Sequence, residues 1–128
     1  MKVLGIGVDL IDNKRIDLLI DNQKFKKRIF SKKEIILSKN KKNKVNFFAK
    51  RFAAKESFSK SLGIGIGKKL NFNNIEILND KLGKPYYSKN KIINDLIYKR
   101  FKVRKFNLFL SISDEKDYSI AFTIIQKQ

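Results

Sequence analysis

The stretch KVNFFAKRFAAKESFSKSL, Lys44 to Leu62, constrains the fold more than any other part of the chain. Stepped at about 100° per residue as a helix, it brings Val45, Phe48, Ala49, Phe52, Ala53, Glu56 and Gly63 into one arc. A second arc holds Phe47, Ala54, Phe58 and Leu62. A helix that is apolar on two sides has to be covered on two sides, so the other elements must assemble around it. GIGIG, Gly63 to Gly67, stops it where glycine is the expected C-terminal signal. A chain of 128 residues with 42% apolar composition supplies one core, and one domain over 1–128 is expected.

The covering elements are legible in outline. VLGIGVDLI, residues 3–11, alternates, with Leu4, Ile6, Val8 and Leu10 on one side and Gly5, Gly7, Asp9 and Ile11 on the other, which predicts a strand. Asp12-Asn13 caps a helix over Lys14 to Asn22, and Ser31 with Glu34 forms a capping box that opens a helix to Ser38. KNKKNK, residues 39–44, reads as a loop. NFNNIEILND, residues 71–80, reads as a strand, KLGKP with the single proline as a turn, and YYS as a short strand. Lys91 to Lys102 is a further helix. KFNLFLSIS and DYSIAFTII are strands joined by DEKD in a tight hairpin. The order β-ααα-ββ-α-ββ predicts an α+β fold, an antiparallel sheet packed by helices. No repeat, linker or second domain is visible.

Composition narrows the chemistry. There is no cysteine, hence no disulfide framework or thiolate metal site, and no histidine, which removes the commonest neutral-pH base. Carboxylates, lysines, hydroxyls, a hard cation or water remain. Asp9 interrupts the apolar amino terminus and no small-residue cleavage site follows, so a signal peptide is not expected. No apolar run approaches a membrane span. A cytoplasmic protein with no membrane partner is the expectation. The formal charge is +18, and lysine supplies 25 of the 30 positive residues. That balance attracts acidic partners without naming one, and much of it reads as solvated lysine surface.

Two carboxylates stand out. Glu56 lies inside the apolar arc of the long helix, where a charged group without a partner costs several kcal/mol. Lys60 lies one turn on. An ordinary i,i+4 ion pair would be worth about 0.3–0.5 kcal/mol on an exposed face, and a metal or ligand site is the alternative. Asp9 shares its strand face with Gly5 and Gly7; the missing side chains leave room for a ligand, or admit close helix packing. Two carboxylates from separate elements, with lysines nearby, suit Mg²⁺, which completes its shell with water and phosphate oxygens. Phosphoryl or phosphodiester chemistry is then the reaction type, with the metal and lysines stabilising charge on phosphorus. GIGIGKK is not a Walker loop, because its glycine spacing is wrong and no Ser or Thr follows Lys68 or Lys69.

GIGVDLIDNKRI, RFAAKESFSKSLGIGIG, LGKPYY and SISDEKDYSIAFTII resemble, in order and spacing, the blocks of the holo-(acyl-carrier-protein) synthases, the small bacterial type of 4′-phosphopantetheinyl transferase. The resemblance implies transfer of 4′-phosphopantetheine from coenzyme A to a serine of apo-acyl carrier protein, with release of adenosine 3′,5′-bisphosphate, in support of fatty acid biosynthesis. It puts the metal-binding carboxylates on Asp9 and Glu56, with Mg²⁺ bridging them to the coenzyme A pyrophosphate. Lys60 falls near that pyrophosphate. Arg51 and Lys55 fall near the cofactor phosphates, and Gly83, Lys84 and Pro85 near the nucleotide. Lys14 and Arg15 would face the acidic helix of the carrier protein. A homotrimer with sites at subunit boundaries is implied. Asp114 departs from the family, many of whose members have histidine there; a phosphate contact does not transfer to an anion.

A small basic nucleic-acid-binding protein is the rival reading, since the charge permits it. Its lysines are scattered, and no zinc finger, helix-turn-helix or RNP pattern appears. A Mg²⁺ nuclease built on Asp9, Glu56 and Lys60 fits poorly, because that class places Glu and Lys two apart on a strand.

Overall fold

The fold is built on one central helix. In the computed structural model, which describes residues 2–63 and 71–128, α4 spans Lys44–Leu62. Asn43 caps its start by accepting from the Asn46 N–H, and Gly63 ends it in the left-handed region at φ 73°. Phe48, Ala49, Ala53, Ala54 and Phe58 are all fully buried, so the helix is covered on more than one side. The rest of the GIGIG run lies outside the described residues.

One cover is a three-stranded antiparallel sheet of β1 (Lys2–Asp12), β4 (Phe106–Asp114) and β5 (Tyr118–Lys127), in the order β1-β5-β4. The register pairs Gly7 with Thr123 and Asp9 with Ala121. The inward face of β1 is the glycine face. A Cβ on Gly5 would overlap the Ser61 carbonyl, and one on Gly7 the Ser57 carbonyl. Of the two uses the sequence left open for these glycines, close approach of helix backbone to strand is the one realised.

The second cover is built from shorter pieces. These are α1 (Asn13–Asp17), α2 (Gln23–Ile29), α3 (Lys32–Ser38), the hairpin β2 (Ile77–Asn79) with β3 (Pro85–Tyr87), and α5 (Lys91–Phe101). Three sequence expectations change. The helix expected over 14–22 stops at Asp17. A separate helix, α2, follows, capped by Asn22, whose side chain accepts from the Phe25 N–H at 3.1 Å. The strand expected over 71–80 is a strand only from Ile77. Before it, Phe72–Asn74 forms a 3₁₀ turn that buries Phe72 edge-on against Phe52, ring centroids 5.9 Å apart. The α+β class and the antiparallel pairing stand as expected.

The outward sheet face is left bare. Ile6, Val8 and Leu10 of β1, Phe109 of β4, and Ile120 and Phe122 of β5 are all exposed. Their register places them side by side, with Val8 opposite Phe122 and Leu10 opposite Ile120.

Candidate active site

The inward face of β1 runs Gly5, Gly7, Asp9, since alternate residues share a face. Its glycines let α4 lie directly on the strand, so the next residue on that face, Asp9, comes up beside the helix at Glu56 and Lys60. The Lys60 ammonium donates to Asp9 Oδ1 at 3.2 Å and to the Val8 carbonyl at 3.0 Å. Lys60 therefore makes its ion pair with the strand, not the i,i+4 pair with Glu56 that the sequence offered.

Burial pushes the pKa of Asp9 up, against the opposing hydrogen bond and charge of Lys60 and the charge of Arg15. Burial also pushes Glu56 up, and the Asp9 charge adds to it; Lys60 and Arg15 oppose the rise. Two carboxylates thus share one close cation and destabilise each other's ionised form. The Lys60 side chain is 56% exposed and that of Asp9 15%, so a ligand can reach both. No group of three or more acidic, His or Cys residues that could hold a metal occurs among the described residues. A two-carboxylate set still fits a hard divalent ion that takes its remaining oxygens from water and substrate.

The structure puts Lys55 to a different use from the phosphate contact expected of it. Lys55 is fully buried, and its ammonium donates to Glu34 Oε1 at 2.7 Å, the Phe72 carbonyl at 2.9 Å and the Ile75 carbonyl at 2.5 Å. All three donors of the ammonium are thereby engaged. Glu34 caps α3 as its sequence signature predicts, and its other oxygen accepts from the Ile77 N–H at 3.1 Å. The capping box explained Glu34 too well for its second role to be suspected.

Arg51 is also buried. It donates to Asn79 Oδ1 at 2.6 Å, lies 3.8 Å over the Phe47 ring, and keeps Nε 3.8 Å from Glu34 Oε2, with no hydrogen-bond partner on that nitrogen. Burial lowers its pKa to about 10, so it stays charged at neutral pH. One edge of Arg51 lines an open cleft of about 500 Å³, together with Lys41, Lys42, Lys50, Lys81 and Gly83. Gly83 sits in the left-handed region at φ 88°. Lys84 holds the same turn through its N–H to Asp80 Oδ1, 2.9 Å, and Pro85 opens β3. The four lysines of this cleft were not singled out by sequence, because nothing distinguishes them from the other lysines until the chain folds.

On α1, Asn13 and Ile16 are buried, which leaves Lys14 and Arg15 facing out. Asp114, at the end of β4, accepts from the Asn46 side-chain amide at 2.6 Å and so ties the hairpin to the first turn of α4.

The chain matches the family model described as the 4′-phosphopantetheinyl transferase superfamily over residues 5–123. It is 53% identical over 128 residues, all of both chains, to a holo-(acyl-carrier-protein) synthase of Pelagibacter ubique. The crystal structure of the synthase from Neisseria meningitidis superposes with TM-score 0.87 at 36% identity, covering 98% of this chain and 100% of that one. That of the Bacillus anthracis synthase, in complex with CoA (3′,5′-ADP), gives TM-score 0.81 at 34% identity, covering 98% of each chain.

Proposed function

This chain belongs to the 4′-phosphopantetheinyl transferase superfamily, among the holo-(acyl-carrier-protein) synthases, and on that footing we propose that it moves 4′-phosphopantetheine from coenzyme A to a serine of apo-acyl carrier protein in a Mg²⁺-dependent reaction. The observation that carries the reading is the pair Asp9 and Glu56. They come from two elements and are partly buried; among the described residues Lys60 is the cation that ion-pairs there, with Asp9, and Arg15 adds charge from α1. Asp9 and Glu56 would hold the ion. When bound, it supplies positive charge to the pyrophosphate oxygens and aligns them for displacement.

The residues of the chain do the rest. Lys60 reaches out from the Asp9 pair and neutralises charge that builds on the pyrophosphate. The serine oxygen forms a new P–O bond to the phosphorus that carries the pantetheine arm. The bridging P–O bond breaks, adenosine 3′,5′-bisphosphate leaves, and the serine proton passes to a base or to water. No protein nucleophile is required, which agrees with a chain lacking cysteine and histidine.

The lysine cleft beside Gly83 offers the nucleotide phosphates a matching charge, with Arg51 in its lining and Lys84 and Pro85 shaping the turn. Lys14 and Arg15, outward on α1, suit an acidic carrier protein, and the charge of +18 steers one in. The bare sheet face suits other copies of this chain in a homotrimer. Like-charged copies repel, but Ile6, Val8, Leu10, Phe109, Ile120 and Phe122 form a patch without a lysine. No described helix is long and apolar enough to cross a membrane, and we place the enzyme in the cytoplasm, supporting fatty acid synthesis.

Mass spectrometry of apo-acyl carrier protein after incubation with the enzyme, coenzyme A and Mg²⁺ tests this directly. One added phosphopantetheine is expected, and none with excess chelator or with Glu56→Ala. Full activity under either condition would sink the metal assignment. Tight, salt-dependent DNA binding with no turnover of coenzyme A would restore the nucleic-acid reading.

A further inference from the structure

Directly behind the carboxylates lies a closed ring of hydroxyl groups. Thr123, on β5, is the register partner of Gly7. Its Oγ1 lies 2.5 Å from Ser57 Oγ on α4 and 2.7 Å from Tyr87 OH on β3. Ser57 Oγ and Tyr87 OH both reach the Ala54 carbonyl, at 2.9 and 2.7 Å. Ser57 and Thr123 are fully buried and Tyr87 is 5% exposed. The three hydroxyl protons fill three of these four contacts at a time, so no donor is left over.

This ring is out of place as packing. Its Thr123 neighbours on the inward face of β5 are Ala121 and Ile125, both fully buried, and a valine would fill the same volume with no polar group to satisfy. What the hydroxyls add is direction. The Ser57 carbonyl lies against Gly7, closer than any side chain there would allow, while the Ser57 hydroxyl is held by the strand next door. Gly7 sets how near α4 comes, and the ring sets its rotation and its slide along the sheet. Glu56 is the residue before Ser57, and Asp9 is the next inward residue after Gly7. Both carboxylates thus flank the Gly7–Ser57 contact that the ring adjoins.

Resting on the metal-dependent transferase reading, we infer that Ser57, Thr123 and Tyr87 are positioning residues, a buried hydroxyl clamp that holds Glu56 at the spacing from Asp9 that one divalent ion needs. Outer-shell partners that orient metal ligands typically carry about 10–100-fold in metal affinity.

Mn²⁺ alone is the probe, titrated by electron paramagnetic resonance, alongside the Mg²⁺ concentration for half-maximal transfer. Thr123→Val should weaken Mn²⁺ binding and raise the Mg²⁺ requirement, each by about tenfold or more, and Thr123→Ser should recover most of both. Tyr87→Phe keeps the ring against Phe58, 5.3 Å between centroids, and should show a smaller loss of the same kind; it decides the matter if Thr123→Val does not fold. A lowered melting temperature with unchanged Mn²⁺ affinity and Mg²⁺ requirement would leave the clamp a packing feature and overturn this inference alone. Wild type that binds Mn²⁺ without transferring phosphopantetheine would overturn the transferase reading alone, and wild type that binds no Mn²⁺ would overturn the metal reading and this inference together.

Discussion

Two charged clusters share α4, and they are near mirror images. On one side Arg51 and Lys55 both ion-pair with the carboxylate of Glu34, and Glu76 adds negative charge nearby. On the other, Asp9 and Glu56 share a single close ammonium, Lys60. The first is closed around Lys55: both oxygens of Glu34 accept hydrogen bonds and every donor of Lys55 is engaged, while Arg51 keeps one nitrogen, Nε, without a hydrogen-bond partner at the edge. The second is open, half in water and short of positive charge. Lys55 and Glu56 are adjacent in sequence yet belong to different clusters, because consecutive residues on a helix point about 100° apart. A buried charge whose partners are complete is part of the fold. A pair of like charges left incomplete is what chemistry requires.

The largest effect should come from opening the closed cluster. Lys55→Met takes from Glu34 its one hydrogen-bonded cation, leaving Arg51 at 3.8 Å, and strands two buried carbonyls; it should cost about 3–5 kcal/mol in denaturant unfolding. Stability near wild type together with weaker coenzyme A binding would instead make Lys55 a phosphate ligand and break the comparison.

The open cluster should respond with the opposite sign. Burial and the neighbouring Asp9 charge raise the pKa of Glu56 above the ordinary glutamate value of 4.5 in the folded protein. Folding therefore favours its protonated form. The stability it contributes is intact below about pH 4.5 and is lost as pH rises through the raised value. Glu56→Gln should accordingly raise the melting temperature at pH 7 while abolishing transfer, and the gain should vanish in melts below pH 4.5. Added Mg²⁺ should stabilise wild type and leave this variant unmoved. The smallest stability effect belongs to Lys60→Met, since an exposed ion pair is worth about 0–1 kcal/mol. Its transfer rate should still fall by about 100-fold if the ammonium stabilises the developing charge. A rate near wild type would reduce Lys60 to a surface pair.

The sequence carried α4 with its ends, the capping box, the β4–β5 hairpin and the three residues of the open cluster, since each is written in local periodicity or a cap. The closed cluster was hidden for a physical reason. Lys55 draws its partners from Glu34, Phe72 and Ile75, 17 to 21 positions away on either side, and no local pattern couples them. Phe72 and Ile75 read as part of a strand because both are apolar, though one is buried by a 3₁₀ turn and the other precedes the strand. The hydroxyl clamp was equally invisible: Ser57, Tyr87 and Thr123 are unremarkable singly and meet only through tertiary packing.

Strand β1 has a consequence that reaches beyond either cluster. Val8 faces the bare apolar surface and Asp9, the very next residue, faces Lys60 in the site proposed to hold the ion; the Val8 carbonyl is itself a partner of Lys60. The strand is one residue thick between the surface proposed for assembly and the surface proposed for catalysis. Where association on one side changes ion binding on the other, the linkage is reciprocal: whatever factor assembly adds to ion affinity, the ion returns to assembly. Dilution should loosen the metal, and chelation should loosen the oligomer.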